Sequence, residues 1–193
     1  IQIGQVTTVY DGSAHTAEYS VLDKDGEPMD VETTVWYGDS TEAPVHAGTY
    51  DVIVVTETSG HQIYEHTEIG AIVIRQAKPS LRVIPFQVTY DGDQHPAYCI
   101  AEGVHEGDVL APVTVTYNGS EEVPVHAGTY DVTVQTAETQ DYKSVTVVRE
   151  GAVVITPVET ASVRVIPFQI TYDGRKHPAY CIVSGLEQGT YKL

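Results

Sequence analysis

The chain states nearly the same segment three times, and this repetition limits what it can fold into more than any single residue does. Tyr10-Asp11-Gly12, Tyr90-Asp91-Gly92 and Tyr172-Asp173-Gly174 recur at spacings of 80 and 82 residues, each followed by a histidine, His15, His95 and His177. Pro-Val-His-Ala-Gly-Thr-Tyr-Asp-Val occurs whole at 44–52 and at 124–132, and Arg-Val-Ile-Pro-Phe-Gln at 82–87 and 164–169. Self-similarity at a fixed period implies an array of like units. Aligned on the Tyr-Asp-Gly marks, the units span 1–79, 80–161 and a partial third at 162–193. A unit of about 80 residues is the size of a small domain. The third stops before the Ala-Gly-Thr-Tyr hairpin, so it is expected to be truncated or completed by strands of a neighbouring chain.

No segment shows helical periodicity of useful length, and Val, Thr, Ile and Tyr suit a pleated, half-buried surface. In the second unit the pattern predicts strands over 82–89, 97–102, 112–117, 129–136, 144–149 and 152–156, with a short one over 122–125. Tyr130, Val132 and Val134 alternate with Asp131, Thr133 and Gln135. Asp91-Gly92 and Asn118-Gly119 supply the positive φ that tight turns need, and Gly48 and Gly128 sit where one strand ends and the next begins. About seven short strands without a helix point to an all-β chain, a rod of tandem immunoglobulin-like β-sandwich domains. Pro85 and Pro167 fall inside first strands, which places those strands at a sheet edge or a bulge.

Charge narrows the partners. The net charge is −17, with 27 acidic and 10 basic side chains. It is −10 over 1–80, −9 over 81–162 and +2 over 163–193. A surface this negative repels phosphate backbones and anionic lipid, so nucleic acid is excluded as a partner. No apolar run is long enough to insert into a bilayer.

Cys99 and Cys181 occupy matching places in units two and three, about one domain length apart and beyond disulfide reach. The aligned Tyr19, read with Ala17 and Val21 as the inward register, puts Ala97, Cys99 and Ala101 inside as buried free thiols and alanines. Tyr98 and Ile100, and likewise Tyr180 and Ile182, then point outward as a candidate contact patch or a packing face for the neighbouring repeat.

The same residues also bear on chemistry. The Tyr-Asp-Gly-x-x-His group resembles a catalytic cluster only on paper, because it recurs in every unit on a turn whose glycine has a backbone role. His46 and His126 precede Ala-Gly-Thr-Tyr, where an imidazole can bond turn backbone. No metalloprotease, nucleophile-elbow or phosphate-loop motif occurs, so no enzyme is expected. Asp23, Asp25 and Glu27 cluster the hard oxygens that Ca²⁺ takes, but the distal bidentate Glu of a full loop is missing, and a solvated acidic hairpin accounts for them as well. Asn118-Gly119-Ser120 matches the glycosylation acceptor pattern.

The run Thr-Tyr-Asp-Gly-x-x-His, mid-unit Thr-Tyr-Asn-Gly-Ser, Pro-Val-x-Ala-Gly-Thr-Tyr-Asp-Val and closing Ala-Val-Val-Ile resembles the MBG/YDG-type repeats of large bacterial surface proteins. The resemblance covers both full units and the start of the third. His46 and His126 stand where that family often has Asn, and Tyr37-Gly38-Asp39 replaces Tyr-Asn-Gly in the first unit. It implies an Ig-like spacer or adhesive module, extracellular and at the cell surface, whose partners are neighbouring repeats or subunits of the same protein. A carbohydrate- or receptor-binding module, with surface glycan or a receptor as partner and tyrosines as platform, is the alternative. Exposed residues found in one unit only would favour it.

Overall fold

Alternating apolar side chains produce a six-strand plan that the chain uses twice. A computed structural model describes residues 1–58, 60, 62–158 and 162–184. Residues 159–161, the end of the expected second unit, and 185–193, the end of the expected third, lie outside the described residues. The first repeat contains β1 (Gln2–Ile3), β2 (Val6–Val9), β3 (Tyr19–Ser20), β4 (Glu32–Tyr37), β5 (Gly48–Glu57) and β6 (Ile63–Arg75). β2, β6, β5 and β4 form one sheet in that order, with β2 parallel to β6 and the other pairs antiparallel. β1 and β3 form the opposing two-stranded sheet. The second repeat follows the same plan with β7 (Ser80–Ile84), β8 (Phe86–Thr89), β9 (Tyr98–Glu102), β10 (Val113–Tyr117), β11 (Gly128–Thr136) and β12 (Val145–Thr156). Its sheets are β10-β11-β12-β8 and β7-β9. β13 (Ser162–Ile166) and β14 (Tyr180–Ser184) repeat the antiparallel two-stranded pair. The described residues contain no helix, and the fold is all-β sandwich repeats.

The first strand of each repeat differs from its sequence reading. The expected single strand over 82–89 breaks at Pro85 into β7 and β8, which belong to different sheets. Proline has no N–H for a ladder, so the chain changes sheets where the ladder must be interrupted anyway. Gly4 and Gln5 occupy the same break in the first repeat.

Period-two burial builds the core. Tyr37 of β4, Val52, Val54 and Thr56 of β5, and Ile72 and Ile74 of β6 are buried, and Ile1 and Ile3 pack over them from the other sheet. Each fully buried Val or Ile contributes about 1.5–3 kcal/mol. Trp36 stands on the outward face of β4, exposed, opposite Ile53. The expected strands over 144–149 and 152–156 are one strand, β12, that passes through Gly151 at φ 58. In the first repeat Gly70 lies at φ 64, and the β5–β6 pairing shifts between Tyr50 and Val52. Only glycine takes this conformation without strain. The repeated Asp of Thr-Tyr-Asp-Val serves the bulge, since Asp51 Oδ1 accepts from the Gly70 N–H at 2.7 Å and Asp131 Oδ1 from the Gly151 N–H at 2.8 Å.

Residues 122–125 are not a strand. Instead the Pro124 carbonyl accepts from the His95 N–H at 2.9 Å, as the Pro44 carbonyl does from His15 at 2.9 Å. These bonds tie each Tyr-Asp-Gly loop to the Pro-Val-His-Ala-Gly segment.

The inward assignment of the cysteines needs correction. Both are free, but Cys99 is half-buried and Cys181 exposed, and Ala101 is exposed while Ile100 is half-buried. The parity came from Tyr19, which is itself 43% exposed. β3 is two residues long whereas β9 is five, so the register of one does not carry over to the other. Burial raises the Cys99 thiol pKa, and thiolate is the reactive form. Native labelling is therefore expected to be fast at Cys181 and slower at Cys99, read separately by peptide mass mapping. Equal rates would contradict the difference in burial.

The chain divides into two compact units that do not coincide with its sequence repeats. One comprises Ile1–Arg82, Ile100–Thr114 and Val134–Val147, and the other Val83–Cys99, Val115–Thr133 and Val148–Leu193. The first unit thus contains a joint between the first repeat and two segments of the second.

Candidate functional site

The three Tyr-Asp-Gly turns share one local geometry. Asp11 Oδ1 accepts from the Ser13 N–H at 2.8 Å and lies 3.1 Å from His15 Nε2. Asp91 repeats this with the Asp93 N–H and His95, both at 2.9 Å, and Asp173 with the Arg175 N–H at 2.9 Å and His177 at 2.7 Å. In all three the backbone N–H two residues on is the main cause that holds the carboxyl below the usual carboxylate range, and the histidine adds to it. Gly12, Gly92 and Gly174 lie at φ 79, 89 and 76. Aspartate and histidine here brace a turn.

The tyrosines at the head of these turns differ sharply. Tyr10 is 7% exposed, Tyr90 half-buried and Tyr172 94% exposed. The ring of Tyr10 is covered by a pocket from the second repeat. Its centroid lies 5.5 Å from that of Tyr142 in an edge-on arrangement, and it stacks on His46 at 6.5 Å. Such edge-on aromatic pairs are worth about 0.5–1.5 kcal/mol beyond burial. Its hydroxyl donates to Asp108 Oδ1 at 2.7 Å. The other carboxylate oxygen accepts from the Tyr142 hydroxyl and, at 2.9 Å, from the His105 N–H. Tyr142 Oη in turn accepts from the Val104 N–H at 2.7 Å. The Asp108 side chain is 8% exposed, so this is a buried carboxylate with every oxygen engaged.

Around this centre the backbone is stitched. Asp141 binds His46 Nδ1 at 2.9 Å and the Ala47 N–H at 2.7 Å. The Ala77 N–H donates to the Asp141 carbonyl at 2.8 Å, and the Lys143 N–H to the Ala77 carbonyl at 2.9 Å. Gln76 Nε2 donates to Glu138 Oε1 and to the Thr139 carbonyl, both at 2.8 Å. Gly12 passes so close to His105 that a Cβ there would stand 2.5 Å from the imidazole. Tyr142, Ala77 and Leu110 belong to the same apolar cluster as the first repeat's core.

Burial opposes ionisation of Asp108, but the hydrogen bonds from Tyr142, Tyr10 and the His105 N–H outweigh it, and its pKa is lowered. The same bond, led by Asp108 and helped by burial, raises the Tyr10 pKa to about 12. Tyr142 is raised by burial first and Asp108 second. A native pKa above the unfolded value means that the native state holds its proton more tightly. This stabilisation is complete below the ordinary tyrosine pKa of about 10 and is lost as pH rises from there toward 12. Unfolding free energy is expected to fall across that window, and the fall should be shallower in Tyr10→Phe. An unchanged slope in that variant would remove Tyr10 from the titrating set.

The other sequence-derived candidates lie elsewhere. Asp23 Oδ1 accepts from the Asp25 and Glu27 N–H groups at 2.8 and 2.9 Å, and Lys24 Nζ sits 2.6 Å from Asp25. Among the described residues no three carboxylates, histidines or cysteines gather as a metal group. Gly48 and Gly128 lie under the rings of Tyr50 and Tyr130, whose hydroxyls donate to the His46 and His126 carbonyls at 2.9 Å. Tyr98, Tyr180 and Ile182 are exposed, and Tyr98 leans edge-on against Phe86 at 5.3 Å as Tyr180 does against Phe168 at 6.1 Å. Asn118 Oδ1 accepts from the Asp131 N–H at 2.8 Å, so its side chain already serves a turn with φ 49. Asp141 and Tyr142 were not singled out in the sequence. Their signal was a break in the repeat, since Asp-Tyr-Lys at 141–143 has no counterpart among residues 58–64.

Among the described residues no helix is long and apolar enough to cross a membrane. A search of curated proteins finds no match to the chain. A family model described as MBG domain matches residues 1–78 and again 83–159. The twice-used strand plan and the matched spans agree, and the chain belongs to the MBG domain family as a tandem of two such domains.

Proposed function

We propose that the chain is a structural and adhesive repeat region of a long extracellular, cell-surface or filament protein, in which each domain is pinned to the next. The observation that carries this reading is the joint at Asp108. A flexible tether would leave residues 76–81 solvated, yet Gln76 and Ala77 are hydrogen-bonded on both sides of the joint. A buried carboxylate shared by two tyrosines serves no exposed substrate, and the MBG domain is not a known enzyme family. Domains joined this way move less relative to one another than domains on a loose linker. The strongly negative surface keeps such a region soluble.

Tyr98 and Tyr180 support the carbohydrate-binding alternative by being exposed aromatic side chains. They occur at equivalent places in two repeats, paired with Phe86 and Phe168, which fits a repeating contact surface better than a single ligand site. Antibody raised against the two domains should label intact cells that produce the protein, and protease treatment of those cells should remove the label. Labelling only after lysis would overturn the surface reading.

A further inference from the structure

At one end of the first repeat stands an open cleft, and at the equivalent place in the second repeat stands that repeat's own Tyr142. In the second repeat Tyr142 Oη reaches Gly103, where a Cβ would stand 2.7 Å away, and the Thr136 hydroxyl accepts from the Val145 N–H at 3.3 Å. Aligning the repeats at their spacing of 80 matches Gly103, Val104 and Thr136 with Asp23, Lys24 and Thr56. There a cleft of about 370 Å³ lies open between Val21, Leu22, Met29, Val31 and Tyr64. Thr56, which also lines it, is 2% exposed and its hydroxyl has no hydrogen-bond partner among the described residues. A buried hydroxyl without a partner costs about 1–3 kcal/mol, so a group that supplies one is favoured there.

We propose that this cleft takes the tyrosine of a Tyr-Asp-Gly turn from a second copy of the chain, the turn headed by Tyr172. The joint at Asp108 is the template, in that one repeat presents a Tyr-Asp-Gly ring to the end of another. The Tyr172 ring is 94% exposed, and its turn is already braced by Asp173 with the Arg175 N–H and His177, as the Tyr10 turn is by Asp11. A preformed plug loses little freedom on docking. Charge also matches. Arg175 and Lys176 follow the plug in a segment of net charge +2, while Asp23, Asp25 and Glu27 lie in the cleft's own loop in a segment of −10. Opposite fields of this kind speed encounter and fix orientation. The contact joins different surfaces of the two copies, so it extends head to tail and does not close by twofold symmetry.

Sedimentation velocity of the 193-residue chain tests this from low micromolar to near-millimolar concentration. The mean mass is expected to rise with concentration and less so in high salt. Tyr172→Ala, which spoils the plug, and Met29→Glu, which charges the cleft, should each weaken association about tenfold or more, with thermal unfolding unchanged. Mixed together, the two variants retain one good plug and one good cleft and should form one-to-one dimers. A wild-type chain that stays monomeric, a Tyr172→Ala variant that associates like wild type through the exposed edge of β14 or elsewhere, or a mixture that fails to pair would each overturn the proposal.

Discussion

Asp108→Ala is expected to lower the unfolding free energy by about 3–5 kcal/mol, because each buried donor left without its acceptor costs about 1–3 kcal/mol. The substitution strands three donors at once, the hydroxyls of Tyr10 and Tyr142 and the His105 N–H. Chemical denaturation followed by tyrosine and tryptophan emission reads the loss. Trp36 reports on the first repeat alone, being the chain's single tryptophan. The transition it reports should move with Asp108, a residue of the second repeat. Asp93→Ala, which removes an exposed carboxylate, serves as the control and should stay within about 0.5 kcal/mol. An Asp108→Ala loss no larger than that control's would mean that the carboxylate holds nothing together.

The three equivalent tyrosines give a graded result from one kind of substitution. Tyr10→Ala should cost about 3–5 kcal/mol, because a buried aromatic ring is replaced by a cavity the surroundings only partly fill. Tyr90→Ala should cost less, since Tyr90 is half-buried, and Tyr172→Ala should change stability by no more than about 0.5 kcal/mol given its exposure. Thermal or denaturant midpoints of the three variants order them. Equal costs at Tyr10 and Tyr172 would show that the motif acts through its own turn and not through the neighbour it touches.

That grading marks where sequence reading succeeds and where it stops. Strand content, the sandwich class and the family resemblance were legible because they rest on local pattern, such as the alternation along 129–136 and the glycines at turns. The role of Asp51 and Asp131 at the bulge was not, because the glycine each one bonds lies 19 or 20 residues away. The tyrosine of Tyr-Asp-Gly looked like a turn residue in all three units. Only packing separates Tyr10 from Tyr172, and packing depends on Asp108, 98 residues distant. In the sequence Asp108 is one acidic side chain among 27. The cysteine parity failed because a two-residue strand, β3, was asked to set the register of a longer one. A repeat reveals what its copies share, whereas the joint is made from Asp141 and Tyr142, which they do not share.

The most direct measurement is a double-mutant cycle between Tyr10→Phe and Asp108→Ala, with unfolding free energies for the wild type, both single variants and the pair. A phenol donating to a buried carboxylate across the joint should give a coupling of about 1–2 kcal/mol, the double variant losing less than the two single losses combined. Additive losses, with coupling indistinguishable from zero, would contradict a joint held by the Tyr10–Asp108 bond.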